Sequence, residues 1–141
     1  MDERIKKFIA SCKLLSWAMR DEKGVYIANA FYAFDERNLA LIIASHEDTK
    51  HIKLAFKESK VAVNIAKEST IAFLQGVQIK ANFCKANEMQ IQIYYKKFPF
   101  AKLLGGTIFA LEIEYVKFTD NSLMLTKKLE FYQDFVKKNE L

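Results

Sequence analysis

Short stretches of strand-like composition, separated by tight turns, follow one another along most of this chain of 141 residues. Alternation of apolar and polar residues with a period of two predicts β-strands that bury one face. Seven stretches are predicted as strands: Leu14 to Arg20, Val25 to Phe34, Leu39 to Ser45, Val61 to Ala66, Ile71 to Phe83, Ile108 to Phe118 and Leu123 to Thr126. Gly76 interrupts the longest alternation and indicates a bulge or a close approach by a ligand.

Helical signals are fewer and lie between the predicted strands or before them. The predicted helices are a first one capped by Asp2, a second from about Glu47 to Lys57, and a third capped by Asn87 and Gln90 that ends near Phe98. Ser45 and Asp48 are spaced as a capping box for the second helix. The tail from Leu129 also carries apolar residues at roughly helical spacing. We therefore expect a mostly β fold, an antiparallel barrel or sandwich with peripheral helices, in one domain spanning residues 1–141.

Composition places the chain among ordinary globular domains. Apolar residues make up 51% of it and charged residues of both signs 28%, which argues against disorder. No apolar run reaches the roughly 20 residues that a membrane-spanning helix needs. The N-terminus lacks the apolar segment of a signal peptide. A cytoplasmic protein with no membrane partner is the expectation.

The charged and metal-binding residue types exclude several classes of function. The net charge of +5 comes almost entirely from scattered lysines, whereas specific nucleic-acid readers rely on arginine forks. An oligonucleotide-binding barrel stays an alternative, although most aromatic residues alternate toward the core rather than forming stacking platforms. Cys12 and Cys84 form no CxxC pattern, and His46 and His51 have no cysteine nearby. No metal site is expected.

The chemistry that the residues themselves suggest lies where the third strand meets the second helix. The strand ends in Ser45, and Thr49, Lys50 and His51 follow at the start of the helix. A strand that leads into a helix N-terminus offers free backbone N–H groups and a partial positive charge. Hydroxyl and cationic side chains at that point favour a phosphate group. Ser and Thr are also ordinary helix caps, so an unliganded helix start is the alternative.

Four segments carry a resemblance to a known family. They are ANAFYAFDERNLAL (Ala28 to Leu41), the Ser45…Thr49-Lys50-His51 junction, QGVQIKA (Gln75 to Ala81) and FTDNSLMLTKKLEF (Phe118 to Phe131). Together they resemble the FMN-binding split-barrel family, the fold of pyridoxamine phosphate oxidase, and a small bacterial branch of it in particular. The resemblance implies an antiparallel split β-barrel with short flanking helices. Those oxidases hold the FMN phosphate with a hydroxyl residue at the strand end and a Ser-Arg-Lys triplet, so the resemblance makes Ser45, Thr49, Lys50 and His51 the phosphate shell here.

The resemblance also implies where the flavin ring lies and how the chain assembles. Asn29, Ala30 and Phe31 would line the ring, and small side chains there would let it approach the backbone. The strand that carries Gln75, Gly76 and Gln78 would pass the cofactor, where an amide can bond the flavin's carbonyl and imide edge. In this family the cofactor lies at a homodimer interface, and the apolar C-terminal segment is consistent with burial in a dimer.

Departures from the family pattern limit the functional expectation. True pyridoxamine phosphate oxidases carry a C-terminal Arg/His pair for their substrate, and no Arg or His follows His51 here. The resemblance therefore implies an FMN-dependent oxidoreductase that moves hydride, from a reduced nicotinamide or a small reduced substrate, and not a true pyridoxamine phosphate oxidase. Its substrate and catalytic residues are unknown. The alternative is a binding module that holds flavin, haem or another planar anionic ligand without turnover.

Overall fold

The computed structural model describes residues 1–123 and 129–133 of the chain, and about half of them lie in β-strands. The strands are β1 (Leu14–Asp21), β2 (Gly24–Asp35), β3 (Ala40–Ser45), β4 (Lys60–Lys67), β5 (Gln75–Lys85), β6 (Thr107–Asp120) and β7 (Leu129–Tyr132). The α-helices are α1 (Glu3–Ser11), α2 (Lys50–Lys57) and α3 (Glu88–Lys97), and short 3-10 helices span Ile71–Phe73, Pro99–Leu104 and Asn121–Leu123. The expected mostly β fold with short flanking helices is confirmed.

The long strand β6 closes the sheet into a barrel. The strand order is β3-β2-β1-β4-β5-β6-β7, and β3 also pairs with β6, so the six strands β1 to β6 form a closed ring. One edge of β6 pairs with β5. Its other edge pairs first with β3, through Thr107 to Glu112, and then with β7, through Tyr115 to Phe118. All of these pairings are antiparallel, which is the split-barrel architecture expected from the sequence.

The inner faces of the strands and two helices build the main core. Strand β1 alternates in burial, with Leu15, Trp17 and Met19 almost fully buried. Helix α1 adds Ile5, Phe8 and Ile9, and α2 adds Ile52, Leu54 and Ala55. Each large apolar side chain buried in this way contributes about 1.5–3 kcal/mol. Helix α3 instead packs on the outside of the barrel, over a smaller cluster that includes Ala33, Ile42 and Tyr94.

The predicted caps of α1 and α3 are confirmed. Asp2 Oδ1 accepts a hydrogen bond of 2.8 Å from the backbone N–H of Arg4. Asn87 Oδ1 accepts from the N–H of Gln90 at 2.8 Å, and Gln90 Oε1 accepts from the N–H of Asn87 at 3.1 Å. This reciprocal pair satisfies two of the backbone donors that a helix N-terminus otherwise leaves unpaired.

Two predictions along β5 are wrong. The strand begins at Gln75, and Ile71–Phe73 forms a 3-10 helix in which Ile71 and Phe73 are exposed, because no neighbouring strand continues past Lys67 to pair with them. Gly76 marks no bulge, since it lies in register opposite Ala66, and the register shift falls between Lys80 and Ala81. A Cβ at Gly76 would lie 3.3 Å from the carbonyl oxygen of Ile65, so β4 makes the close approach there.

The predicted final hairpin is also placed differently. Leu123 ends a 3-10 helix instead of starting a strand, and residues 124–126 lie outside the described part of the chain. The strand that returns along β6 is Leu129–Tyr132, a segment whose apolar spacing had predicted a helix. Pairing with the exposed edge of β6 outweighs that local periodicity, because it satisfies backbone groups on both strands.

Candidate functional site

Half of strand β2 has an edge without a neighbouring strand. Strand β3 pairs only with Tyr32 to Asp35, so Gly24 to Phe31 pairs with β1 and with no other described strand. The N–H of Tyr32 donates to the carbonyl of Lys13, the residue just before β1, at 2.9 Å, so the backbone groups of Tyr32 point toward the β1 side. Backbone groups of an antiparallel strand alternate in direction, so those of Ile27 and Asn29 point away from β1. They form an open row of donors and acceptors.

A cluster of two hydroxyls and an imidazole lies where β3 separates from β2. Ser45 Oγ is 2.8 Å from Nε2 of His51 and 3.4 Å from Oγ1 of Thr49, and the Thr49 hydroxyl is 3.3 Å from the same Nε2. Thr49 Oγ1 donates to the carbonyl of His46 at 2.9 Å. If the β2–β3 ladder continued, Ser45 would lie opposite Ala30. We call Ser45, Thr49 and His51 the hydroxyl–imidazole cluster.

The helix beside this cluster starts later than its sequence predicts. It begins at Lys50, with Thr49 as N-cap residue, and not at Glu47. The predicted capping box of Ser45 and Asp48 is therefore wrong, because Asp48 precedes the helix. The Thr49 side chain makes no capping hydrogen bond, since its hydroxyl donates to the carbonyl of His46. The first N–H groups of a helix have no partner within the helix, so this turn has donors that Thr49 does not satisfy.

The imidazole of His51 is half-buried against the core. Its ring meets the indole of Trp17 edge to face, with ring centroids 5.7 Å apart at 78°. Burial lowers the pKa of His51 below its ordinary value of 6.5. The indole N–H of Trp17 has no hydrogen-bond partner among the described residues. A buried donor left unpaired is unusual and costs about 1–3 kcal/mol.

Lys50 points elsewhere. Its ammonium forms an ion pair of 3.2 Å with Asp21 and lies 4.6 Å from the ring centre of Tyr26. The pKa of Asp21 is lowered by the backbone N–H of Glu22 and by the Lys50 ammonium. Of the four residues that the resemblance assigns to a phosphate shell, the structure thus brings Ser45, Thr49 and His51 together and holds Lys50 against the β1–β2 hairpin.

Two glycines let the loop before β6 approach the end of β3. Gly105 and Gly106 have φ angles of +70° and +99°, which favour glycine, and a Cβ at Gly106 would lie 3.3 Å from the carbonyl oxygen of Ser45. Just after them, Thr107 Oγ1 donates to Oε1 of Glu47 at 3.4 Å. The loop therefore closes one side of the cluster and engages one of its acidic neighbours.

The ring-lining residues expected from the resemblance lie on both faces of β2, beside the free edge. Ala30 faces the core, whereas Asn29 and Phe31 face outward and are exposed. Asn29 Oδ1 accepts a hydrogen bond of 2.9 Å from Ser16 Oγ on β1. Phe31 contacts the ring of Phe98 at 5.9 Å. In one chain, these three residues and the hydroxyl–imidazole cluster therefore lie at the same place, where β3 separates from β2.

The predicted residues of β5 lie away from that split. Gln78 shares an outer row with Asn29, but two strands separate them, a distance of roughly 14 Å at the usual spacing of about 4.8 Å. Gln75 Nε2 donates to Oδ2 of Asp120 at 2.8 Å. The structure does not bring Gln75, Gly76 and Gln78 to the hydroxyl–imidazole cluster of their own chain.

Sequence reasoning missed three residues that shape the site: Asp21, Trp17 and Gly106. The available signal for Asp21 was its charge, which is opposite to that of Lys50. Trp17 shares the inward parity of Leu15 and Met19, which pointed to the core but not to His51. Nothing local in the sequence pairs Gly106 with Ser45.

The described residues hold neither a metal-binding cluster nor a membrane-spanning helix. No group of three or more His, Cys, Asp or Glu side chains in residues 1–123 and 129–133 could hold a metal ion. Across the same residues, no helix combines the length and the apolar character needed to cross a bilayer.

Solved structures with this fold include proteins named for flavin and for haem. A haem-binding protein of Mycobacterium smegmatis has a TM-score of 0.78 and 11% identity, covering 92% of this chain and 57% of that one. An FAD-binding protein of Mesorhizobium loti has a TM-score of 0.68 and 14% identity over 80% of this chain and 87% of that one. HutZ, the haem storage protein of Vibrio cholerae, has a TM-score of 0.64 and 16% identity over 80% and 89%. At these identities the likeness establishes the split-barrel fold.

Sequence relatives identify the family. No protein-family model matches the chain. The UPF0306 protein YhbP of Escherichia coli is 28% identical over 135 residues, covering 92% of each chain. A UPF0306 protein of Campylobacter jejuni is 65% identical over 134 residues, which are 94% of this chain and 99% of that one. The chain is therefore a member of the UPF0306 family.

Proposed function

We propose that this protein binds FMN, with the phosphate at the hydroxyl–imidazole cluster and the flavin ring along the free edge of β2. One observation carries the proposal: an anion-compatible cluster lies directly beside an unpaired row of backbone groups. A flavin mononucleotide needs both features, because it joins a phosphate to a planar ring with a polar edge. The solved structure named for FAD shares the fold and supports a flavin as the ligand.

The residues present fit such a ligand. Ser45 and His51 supply hydrogen-bond donors for phosphate oxygens, together with the uncapped N–H groups at the start of α2. The backbone groups of Ile27 and Asn29 that point away from β1 can pair with the carbonyl and imide groups of the ring. The unpartnered indole N–H of Trp17, in the ring that meets His51, is a further buried donor at this end of the barrel.

The proposed activity is that of an oxidoreductase. Bound FMN supplies two-electron chemistry, accepting hydride from a reduced nicotinamide or a small reduced substrate. The protein's part is to fix the phosphate, align the ring along β2 and bury one of its faces. We propose the cytoplasm as the compartment, since Cys12 and Cys84 are free thiols, as expected in a reducing environment.

We also propose a homodimer with the cofactor at its interface. The outer face next to the free edge of β2 is apolar and exposed, with Val25, Ile27 and Phe31 at 81%, 66% and 53% of their full exposure. A second copy packed on this face would cover these side chains. It would also explain the family positions on β5, because Gln78 lies on the same outer face and would approach the cofactor of the other copy.

A second candidate is a binding module without turnover, with haem as the ligand. His46 is exposed at the same junction, beside Gly105, and an exposed imidazole next to an apolar edge is suited to ligating haem iron. Two of the solved structures with this fold are named for haem. Haem at this position would give a Soret band that the His46→Ala variant loses.

Titration of the purified protein with FMN, riboflavin and hemin tests both candidates. We expect saturable FMN binding, followed by flavin fluorescence, and an affinity loss of roughly tenfold or more in Ser45→Ala, because a hydrogen bond to a charged group contributes about 1.5–3 kcal/mol. Riboflavin, which lacks the phosphate, should bind both proteins equally. Ser59→Ala is the matched control, since Ser59 Oγ bonds to Asn82 instead.

Absence of FMN binding to the wild-type protein would exclude the flavoprotein proposal. An unchanged FMN affinity in Ser45→Ala would move the phosphate away from the cluster. A Soret band with no flavin binding would favour the haem module.

A further inference from the structure

The cationic side chain of the hydroxyl–imidazole cluster is a histidine, and this determines the pH at which the cluster can bind an anion. We infer that His51 makes phosphate capture proton-coupled: a phosphate monoester binds together with a proton held on the imidazole, so affinity rises as pH falls through neutrality. The inference rests on the proposed function and deepens it, because it names the residue that sets the charge requirement of the site. A lysine at this position would be charged at every physiological pH, whereas a histidine titrates there.

The hydrogen bonds of the cluster limit what it can offer an anion. Thr49 has one hydroxyl hydrogen, and it is donated to the carbonyl of His46. Ser45 has one as well, and its nearest acceptor is Nε2 of His51 at 2.8 Å. When Nε2 carries no proton, the Ser45 hydroxyl hydrogen is therefore bonded to it within the cluster and is not available to a ligand. Imidazolium carries hydrogen on both nitrogens, so Nε2 becomes a donor and the Ser45 hydrogen is released toward a ligand.

The charges around the cluster point to the same residue. Lys50 is ion-paired to Asp21, so its charge is largely offset. The loop between β3 and α2 adds the acidic Glu47 and Asp48, and Glu47 is bonded to Thr107. Other titratable groups on these elements are Tyr26 beneath Lys50, His46 in the loop, Lys53 and Lys57 further along α2, and Arg20 on β1. Among the described residues, the His51 ring is the one shown within hydrogen-bond distance of both hydroxyls. A phosphate dianion thus gains a cation within hydrogen-bond reach of both hydroxyls only when His51 is protonated.

Burial of the imidazole strengthens the coupling between phosphate binding and proton uptake by His51. The imidazole packs against Trp17, and this apolar contact lowers the pKa of His51 in the free protein, so the ring is mainly neutral at neutral pH. A bound dianion favours the charged ring. Proton uptake therefore accompanies binding across the pH interval between the free and the bound pKa values of His51.

FMN affinity measured against pH tests the inference, with riboflavin as the ligand that lacks the phosphate. Between about pH 6 and pH 8, we expect the FMN affinity of the wild-type protein to rise by up to about tenfold per pH unit of acidification, the slope for one proton taken up. Riboflavin affinity should stay flat. The phosphate of FMN titrates in every experiment, so two variants isolate the contribution of His51. His51→Lys keeps a cation, and His51→Gln has none. Both should lose the extra slope, and His51→Gln should also bind FMN more weakly.

A flat FMN profile in the wild-type protein, or the same slope in His51→Gln, would overturn the inference. Failure of FMN to bind at any pH would instead contradict the proposed function. Titration with inorganic phosphate would then test the proton-coupled capture on its own. Trp17 is the single tryptophan of the chain, and its fluorescence reports the protonation of the ring beside it. Phosphate that raises the midpoint of this fluorescence titration would support proton-coupled capture, and an unmoved midpoint would overturn it.

Discussion

The two halves of β2 have different surroundings although they form one continuous strand. From Tyr32 to Asp35 the strand is paired with β3, and Tyr32 and Asp35 are 0% and 2% exposed. From Gly24 to Phe31 it is paired with β1 alone, and Val25 and Ile27 are 81% and 66% exposed. The first half is barrel wall. The second half is an open edge lined with apolar side chains.

The difference arises on the neighbouring strand. Strand β3 ends at Ser45, and the chain then turns into α2 instead of continuing along β2. The helix places His51 against Trp17, but no described strand pairs with the second edge of Gly24 to Phe31. Ending one strand early therefore produces both the anion-compatible cluster and the row of free peptide groups beside it. The four predictions below test this contrast, from the largest expected effect to the smallest.

Truncation of a side chain should be far costlier in the half of β2 that pairs with β3. Tyr32→Ala removes a fully buried ring and a hydrogen bond of 2.6 Å from its hydroxyl to the carbonyl of Ile9. Large aromatic truncations in cores cost about 3–5 kcal/mol, and we expect that loss in the free energy of unfolding measured with urea. Ile27→Ala, in the open half, should stay within about 0.5 kcal/mol of the wild type under monomeric conditions. Similar losses for both variants would remove the contrast.

A charge in the open half should act on association rather than on folding. Burial of an isoleucine is worth about 1.5–3 kcal/mol, so Ile27→Lys should weaken the proposed dimer roughly tenfold or more. Analytical ultracentrifugation over a concentration series measures this change. Ile71→Lys is the control, since Ile71 is 86% exposed but lies in a 3-10 helix away from β2. A dimer equally weakened by both substitutions, or a wild-type monomer, would contradict the interface proposed along β2.

The end of the half that pairs with β3 depends on a buried carboxylate. Asp35 accepts hydrogen bonds from the side chains of Asn38 and Gln90, at 2.9 and 3.0 Å, and so ties β2 to α3. Asp35→Ala leaves the buried amide of Gln90 without this partner, which should cost about 1–3 kcal/mol of unfolding free energy. Asp48→Ala, at an exposed loop position, is the control with little expected effect. Loss of stability in the control alone would refute this account of Asp35.

Acidification should weaken the fold slightly through the cluster. Because burial lowers the pKa of His51 in the folded state, the unfolded chain takes up this proton first as pH falls below about 6.5. Stability should therefore decrease on acidification from there toward the folded pKa, and His51 should have no such effect at higher pH. Urea unfolding of wild type and His51→Gln at several pH values measures the difference. A stabilising contribution of His51 to the free energy of unfolding that increases on acidification would contradict this prediction.

Much of the fold could be predicted because its signals are local. The apolar and aromatic composition of Leu14 to Arg20 predicts a strand, and the positions of Asn87 and Gln90 predict a helix cap, as the structure shows. The start of α2 could not be predicted in the same way. Ser45 and Asp48 have the spacing of a cap, but the hydroxyl of Ser45 bonds to His51 instead, six residues further along the chain.

The candidate site shows the same limit. The residue types of the Ser45 to His51 segment were enough to indicate an anion, because their chemistry does not depend on context. The direction of Lys50 depends on Asp21, and the protonation of His51 depends on Trp17. Both partners lie on β1, about thirty residues earlier in the chain. Only the closed barrel brings them to the junction.

The sequence by itself determined the antiparallel strands, the helix caps at Asp2 and Asn87, and the chemical character of the β3–α2 junction, because periodicity, capping and side-chain chemistry act between neighbours. Tertiary structure alone decided which edge of β2 stays open, which strand pairs with the far half of β6, and which cation is available to an anion. Those outcomes depend on backbone pairing and burial between residues that are distant in the chain, and no local pattern encodes them.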